Sequence, residues 1–305
     1  MSKFIDFVKQ TIKKLNKKEM GVGLNISVES FSLCVISDTD DTESTAHCES
    51  HKFPTALLQY TSDFFMSERS AQYVFDFIKD FLPKENCNLN LALPSSVASI
   101  AVTPVAFNEK DEAIGYARFQ TSELFDRSFK EPIFSACTVS AKAWQEVAKS
   151  KFIVAVAEAS DVIMLDEVAE RSKIFVASAE PVAVCALRAY VGLSQGTVLL
   201  VFINLSHLFA VLLVNGSVEK FYTPSLDTER ENFLAEFGNY IATVMKEANI
   251  ERENLKIKIA GSEAKYELCE TLDRLGIARE VSLAQCPVTF ASCEEELAFG
   301  AAMRG

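Results

Sequence analysis

No stretch of this sequence is apolar for long enough to cross a bilayer as a helix. Its longest apolar runs, Val198 to Ile203 and Leu208 to Val214, are strand-sized, far short of the roughly 20 residues that a span needs. A secretory leader is lacking too, because Asp6, Lys9, Lys13 and Lys14 interrupt every candidate apolar stretch near the start, and the expected location is the cytoplasm. None of the eight cysteines forms a CxxC pair, which points to reduced thiols rather than a disulfide framework. Only three histidines are present, and no motif sets a nucleophile beside His47, His51 or His207. The run His47-Cys48-Glu49-Ser50-His51 would place both histidines on one face of a strand. No further ligand group accompanies them, so the segment reads as a solvated strand edge rather than a zinc site. Positive charge is scarce, with 30 Lys and Arg against 42 Asp and Glu and a formal net charge of −12, which excludes non-specific nucleic-acid binding.

What the chain does have is a core. At 305 residues and 49% hydrophobic it is large enough for two ordinary domains or one two-lobed domain. The positive charge is concentrated at one end, where residues 1–18 hold six lysines against Asp6. Phe4, Val8, Ile12 and Leu15 recur there at helical spacing, giving an amphipathic leader with a cationic face. Such a helix either packs on its own domain or meets an anionic membrane surface or a partner through residues 3–18.

Beyond the leader, alternation and turn residues predict strands over 21–27, 31–36 and 48–53, a helix over 72–82 and a strand over 89–93. Residues 97–173 read as a small α/β insert, with strands near 99–103, 133–138 and 152–157 and helices near 109–125 and 160–171. A short strand over 174–177 and a helix over 181–191 follow, then strands over 197–203, 208–214 and 217–222 with Asn215-Gly216 closing a hairpin. A long helix over 228–248, a strand over 255–260, a helix to Leu275 and a terminal helix over 293–303 complete the chain.

One pattern occurs twice. Gly23-Leu24-Asn25-Ile26-Ser27 precedes one strand and Phe202-Ile203-Asn204-Leu205-Ser206 precedes another, and each meander leads to a helix and a further strand. A duplicated meander in an α/β chain implies two similar lobes facing across a cleft. Three more segments give the duplication a family likeness. Glu180 to Gly192 resembles the helix before the second phosphate turn of DnaK-type chaperones and FtsA, Ile259-Ala260-Gly261-Ser262-Glu263 resembles their adenosine-binding turn, and Glu295 to Ala302 resembles the helix that closes their second lobe. The resemblance implies a two-lobed actin-like fold, a duplicated ribonuclease H-like α/β architecture with a small inserted subdomain in the first lobe. Its expected parts are the leader at 1–19, a first lobe at 20–96, the insert at 97–173 and a second lobe at 174–305. Between Ser96 and Glu180 there is room for the subdomain that FtsA and PilM-like proteins carry at that point, and Leu91 to Ser96 also resembles the PilM stretch. Between Tyr222 and Ile257 there is too little chain for the subdomain that walls the adenine in active ATPases.

In the ATP-using members each phosphate turn carries an Asp followed two residues later by Gly; the carboxylate directs Mg²⁺ and the glycine lets backbone N–H groups approach phosphate. Here those places hold Asn25 and Ser27, and Asn204 and Ser206, with His207 bringing bulk into the second turn. Gly261 and Ser262 remain, but Glu263 would face a nucleotide with like charge. An asparagine also has a simpler role as a turn-stabilising residue at a strand end. The resemblance therefore implies a degenerate nucleotide cleft formed by Asn25, Ser27, Asn204, Ser206, His207, Gly261, Ser262 and Glu263, with no catalytic residue and no cofactor expected. The implied role is a non-catalytic scaffold of a membrane-associated platform of the type IV pilus or type II secretion kind, binding the cytoplasmic segment of an inner-membrane partner. The alternative is a nucleotide-binding protein of the FtsA or chaperone-like branch that uses ATP and Mg²⁺ as structural ligand or slow substrate.

Overall fold

The computed structural model describes residues 20–27, 30–38, 44–54, 67–82, 87–95, 97–125, 127–138, 151–190, 192–204, 208–223, 233–262 and 266–303. The leader at 1–19 and three of the candidate-site residues, Ser206, His207 and Glu263, lie outside the described residues.

The first lobe begins with β1 (Met20–Ile26), β2 (Ser30–Asp38) and β3 (Ser44–Lys52), then α1 (Glu68–Ile78) and β4 (Cys87–Leu93). The insert supplies β5 (Ala98–Val102), α2 (Lys110–Phe119), a single helical turn at Thr121–Leu124, β6 (Pro132–Thr138) and β7 (Phe152–Glu158). The chain returns through α3 (Ala159–Arg171), β8 (Val176–Pro181) and α4 (Val182–Ala189). The second lobe is β9 (Thr197–Ile203), β10 (Leu208–Val214), β11 (Ser217–Tyr222), α5 (Phe233–Glu247), β12 (Leu255–Ala260), α6 (Tyr266–Arg274), β13 (Glu280–Leu283) and α7 (Cys293–Ala302).

The duplication read from the two asparagine turns is a duplication of topology. One sheet runs β3-β2-β1-β4-β8 and the other β11-β10-β9-β12-β13. In each, an antiparallel meander of three strands is extended by two parallel ones. The central strand of the second sheet, Thr-Val-Leu-Leu-Val-Phe-Ile, is buried on both faces over all but its first residue, as a strand covered by helices on both sides must be. Between β10 and β11, Asn215 and Gly216 both take positive φ, 51° and 80°, the backbone that a two-residue hairpin of this twist requires. Strand β13 does not show in the sequence pattern, since four residues, Glu-Val-Ser-Leu, are too short a run to establish a period.

Alternation divides β1 between two cores. Val22, Leu24 and Ile26 pack with Val74, Phe75 and Ile78 of α1 and with Leu165, Val168 and Ala169 of α3. Helix α3, contiguous with the insert in sequence, thus contributes to the core of the first sheet. On the opposite face, Gly21 and Gly23 press against the backbone carbonyls of Ala302 and Ala298, so α7 lies directly on the strand. Gly300 in turn lies against the Cys185 carbonyl of α4. Any side chain at these three positions would occupy the space of a neighbouring backbone.

A second core belongs to both lobes: Cys34 of the first sheet, Val182 and Ala186 of α4, Leu297 and Ala298 of α7, and Val198, Leu200, Phe202 and Phe209 of the second sheet share one cluster. The outer face of the second sheet packs Leu199, Val201 and Ile203 on Phe237, Ile241 and Val244 of α5 and Leu272 of α6. The insert has its own small core, with Ala113 and Ala117 of α2 on Phe152, Val154 and Val156 of β7, in a sheet ordered β5-β7-β6.

Two expectations about the meander change. Cys34 and Cys48 are directly opposed across β2 and β3, with Cα atoms 4.0 Å apart, and form a disulfide. The sequence shows no CxxC because the pairing arises from the register of two strands. His51, expected at a solvated edge, packs its ring on Phe77 at 4.8 Å and on Phe31 at 5.3 Å. Its burial lowers the imidazole pKa, opposed by the nearby Glu49 carboxylate.

Candidate functional site

Asn25 is the penultimate residue of β1 and Asn204 immediately follows β9, so the two sheets present their asparagines at equivalent ends of equivalent strands. Both are buried, 1% and 4% exposed. Asn25 lies level with Ser32 on β2 and Ala92 on β4, and neither its carboxamide nitrogen nor its oxygen has a hydrogen-bond partner. Ser27 is used within its own turn: its amide donates to the Ser30 carbonyl at 2.7 Å, and its hydroxyl accepts from the Ser30 amide at 3.2 Å. A hydroxyl row continues across the sheet from Asn25, with Ser32 and Ser50 2.6 Å apart and Ser50 and Ser292 3.1 Å apart. Ser292 is the N-cap of α7 and accepts from the Glu295 amide at 3.2 Å.

The second turn sits beside the same helix end. Asn204 hydrogen-bonds the Cys293 thiol, whose pKa is pushed well up, chiefly by burial and further by Glu294. Gly261, at φ 102°, packs its backbone on the Ile203 carbonyl, which brings the third segment against the second turn; Ser262 beside it is exposed. The structure therefore assembles Asn25, Asn204 and Gly261 around the start of α7.

The acids near this point are committed elsewhere. Glu295 is buried and accepts from the Ala291 amide at 3.0 Å, completing with Ser292 an S-x-x-E cap. Glu180 pairs with Arg188 at 2.5 Å, and the same guanidinium donates to the Gly300 carbonyl at 3.2 Å. Tyr190 donates to Glu296 at 2.7 Å. Burial raises the pKa of both Tyr190 and Glu296. These contacts tie α4 and the first sheet to α7. The arrangement offers two neutral amides and hydroxyls where a divalent cation would need carboxylate oxygen.

A cavity of about 710 Å³ lies where the insert, the ends of the first sheet and the second lobe meet. Its walls come from β5, from Phe125 and Arg127, from Pro181 and Val182 at the start of α4, from Phe209, and from Phe221 and Tyr222 of β11 with Tyr240 of α5. Asn25, Ser27, Asn204, Gly261 and Ser262 are not among the lining residues. Lys151 of the insert donates to Glu219 of β11 at 2.9 Å across the junction. Among the described residues, β5 and β11 are edge strands of their sheets, and the two edges approach each other across the junction. The Tyr222 and Tyr240 rings meet edge to face at 6.3 Å, and both hydroxyls are buried without a partner. Burial pushes the Tyr222 phenol up to about 12 and that of Tyr240 higher still. No local motif marks these residues in the sequence, because the cavity is assembled from three separate parts of the chain.

No family model and no curated protein matches the sequence. Among solved structures, the chain is similar to one described as the PilM-PilN type IV pilus biogenesis complex, with a TM-score of 0.68 and 14% identity over 93% of this chain and 98% of that one. It is similar also to a Bacteroides thetaiotaomicron protein with actin-like ATPase fold and unknown function, with a TM-score of 0.55 and 12% identity over 87% and 91% of the two chains. A looser likeness, at a TM-score of 0.49 and 9% identity over 94% and 96%, is to the cytoplasmic domain of EpsL, an inner membrane component of the type II secretion system of Vibrio cholerae. Two sheets of one strand order, joined through a shared core and matched along nearly the whole chain, give this protein the actin-like ATPase fold.

Proposed function

We propose that the chain is a non-catalytic actin-fold scaffold of a membrane-associated assembly platform, of the type IV pilus or type II secretion kind. It holds the cytoplasmic segment of an inner-membrane partner in the cavity between insert and second lobe. The observation that carries this reading is that the described turn residues do not line the cavity. Among the described residues, the paired turns hold buried amides and the acids beside them are engaged in other contacts, while the cavity is bordered by two edge strands and none of the described turn residues lines it. A protein segment can pair its own backbone with an edge strand, as in strand addition. The likeness to a PilM-PilN complex supports the choice of partner class. The scaffold works at the inner face of the membrane, with the basic leader at residues 3–18 contributing electrostatic contact. No described helix is long and apolar enough to cross the bilayer itself.

The test is capture of synthetic peptides covering the cytoplasmic segments of the inner-membrane proteins encoded beside this one, measured by calorimetry. One peptide should bind, and Thr223→Trp, which adds bulk at an exposed position on the cavity wall, should weaken it at least tenfold without lowering the melting temperature. Binding to none of them would remove the platform assignment. The second reading, a nucleotide held between the turns, is favoured by the unpaired Asn25 carboxamide. Mg·ATP at 100 times its Kd would add about 2.7 kcal/mol of stability. The scaffold reading expects no thermal shift at millimolar nucleotide.

A further inference from the structure

We propose that Cys34 and Cys48 form a reversible redox staple that sets how firmly α7, the helix shared by the two lobes, is held on the first sheet. The register places Gly23, Cys34 and Cys48 side by side on β1, β2 and β3. Gly23 is where the Ala298 carbonyl of α7 touches the sheet, so the disulfide belongs to the row beneath the middle of that helix. Two residues further along β3, on the same face, Ser50 meets Ser292, the N-cap of the same helix. Strand β3 is one of the two edge strands of its sheet and, among the described residues, pairs with β2 alone. The disulfide therefore fastens an edge strand to its neighbour, and that strand carries a contact to the start of α7.

The two sulfurs differ in access. Cys34 is 0% exposed and belongs to the shared core, whereas Cys48 is partly exposed. Exchange accordingly begins at Cys48. A thiolate from a low-molecular-weight thiol attacks its Sγ, the Cys34–Cys48 bond breaks, and Cys34 leaves as a thiolate and takes up a proton. A second thiol then attacks the mixed disulfide and frees Cys48. In total, two thiols are oxidised to one external disulfide while the protein disulfide is reduced to two thiols, and an external disulfide drives the reverse. This inference rests on the cytoplasmic reading above, because a disulfide in a reducing compartment is characteristically transient and redox-sensing. Its test uses the isolated full chain, so that failure to find a membrane partner leaves it unaffected.

The protein is equilibrated with oxidised glutathione, denatured, and alkylated before and after dithiothreitol. Two of the eight cysteines should escape alkylation until reduction, without the added mass of bound glutathione. Hydrogen exchange on the native protein should then show that reduction accelerates exchange roughly tenfold or more in β3 and α7 and leaves α6 unchanged, since the cross-link acts locally through that strand. The Cys34→Ala/Cys48→Ala double variant should exchange at the reduced level with or without dithiothreitol. Alkylation of all eight cysteines before reduction would overturn the proposal. So would unchanged exchange in α7 on reduction, or a double variant that still responds to dithiothreitol.

Discussion

A carboxamide with neither atom paired, at a position 1% exposed, lowers the stability of the strand that carries it. Replacing Asn25 by Leu, which keeps the branching at Cγ and removes the unpaired groups, should leave stability unchanged or raise it by about 1 kcal/mol. Asn25→Asp should lower it by about 3 kcal/mol at pH 7, because burial without a partner penalises the ionised form. The folded carboxyl would then titrate above the unfolded value of about 3.9, so the unfolded chain loses its proton first and stability falls as pH rises. Urea denaturation of the Asp variant should show the deficit shrinking between pH 7 and pH 5. Recovery of stability on adding Mg²⁺ at pH 7 would instead show that the turn still admits a cation. The asparagines themselves, and the absence of acids at their positions, are legible in the chain. Their burial is not, since Asn at a strand end is by default a solvated turn residue.

Helix α7 illustrates what periodicity reveals about an element and what it hides. From Leu297 to Ala302 every residue is buried, and the segment is apolar around its whole circumference, as a helix covered on all sides is. Its placement between β1 and α4 depends on glycines that a sequence pattern treats as weak points. Gly23→Ala puts a methyl group into the Ala298 carbonyl and should cost about 3 kcal/mol or more. Gly115→Ala, inside α2 with nothing near the added carbon, should stabilise by about 0.5–1 kcal/mol. Thermal melts of the two variants, moving in opposite directions, would confirm that close approach rather than glycine content limits these elements. Periodicity was equally blind to allegiance. The pattern of α3 shows a buried face, but only the packing of Leu165, Val168 and Ala169 shows that this face serves the first sheet.

Across the whole molecule, the shared core makes the lobes dependent on each other. Because Cys34, α4, α7 and the inner face of the second sheet occupy one cluster, opening either lobe exposes apolar surface of both. Denaturation followed by fluorescence and by circular dichroism should therefore give coincident single transitions. Two separated transitions would mean that the lobes fold as independent domains. The sequence by itself determined the duplicated meander, the insert and the asparagine at each turn, because each is written in local order: alternation, turn residues and the identity of single positions. Only the tertiary structure decided the pairing of Cys34 with Cys48, the burial of the asparagines and the cavity between insert and second lobe. Each of those arises where segments distant in the chain meet, and that meeting is set by strand register and backbone packing, which no window along the sequence contains.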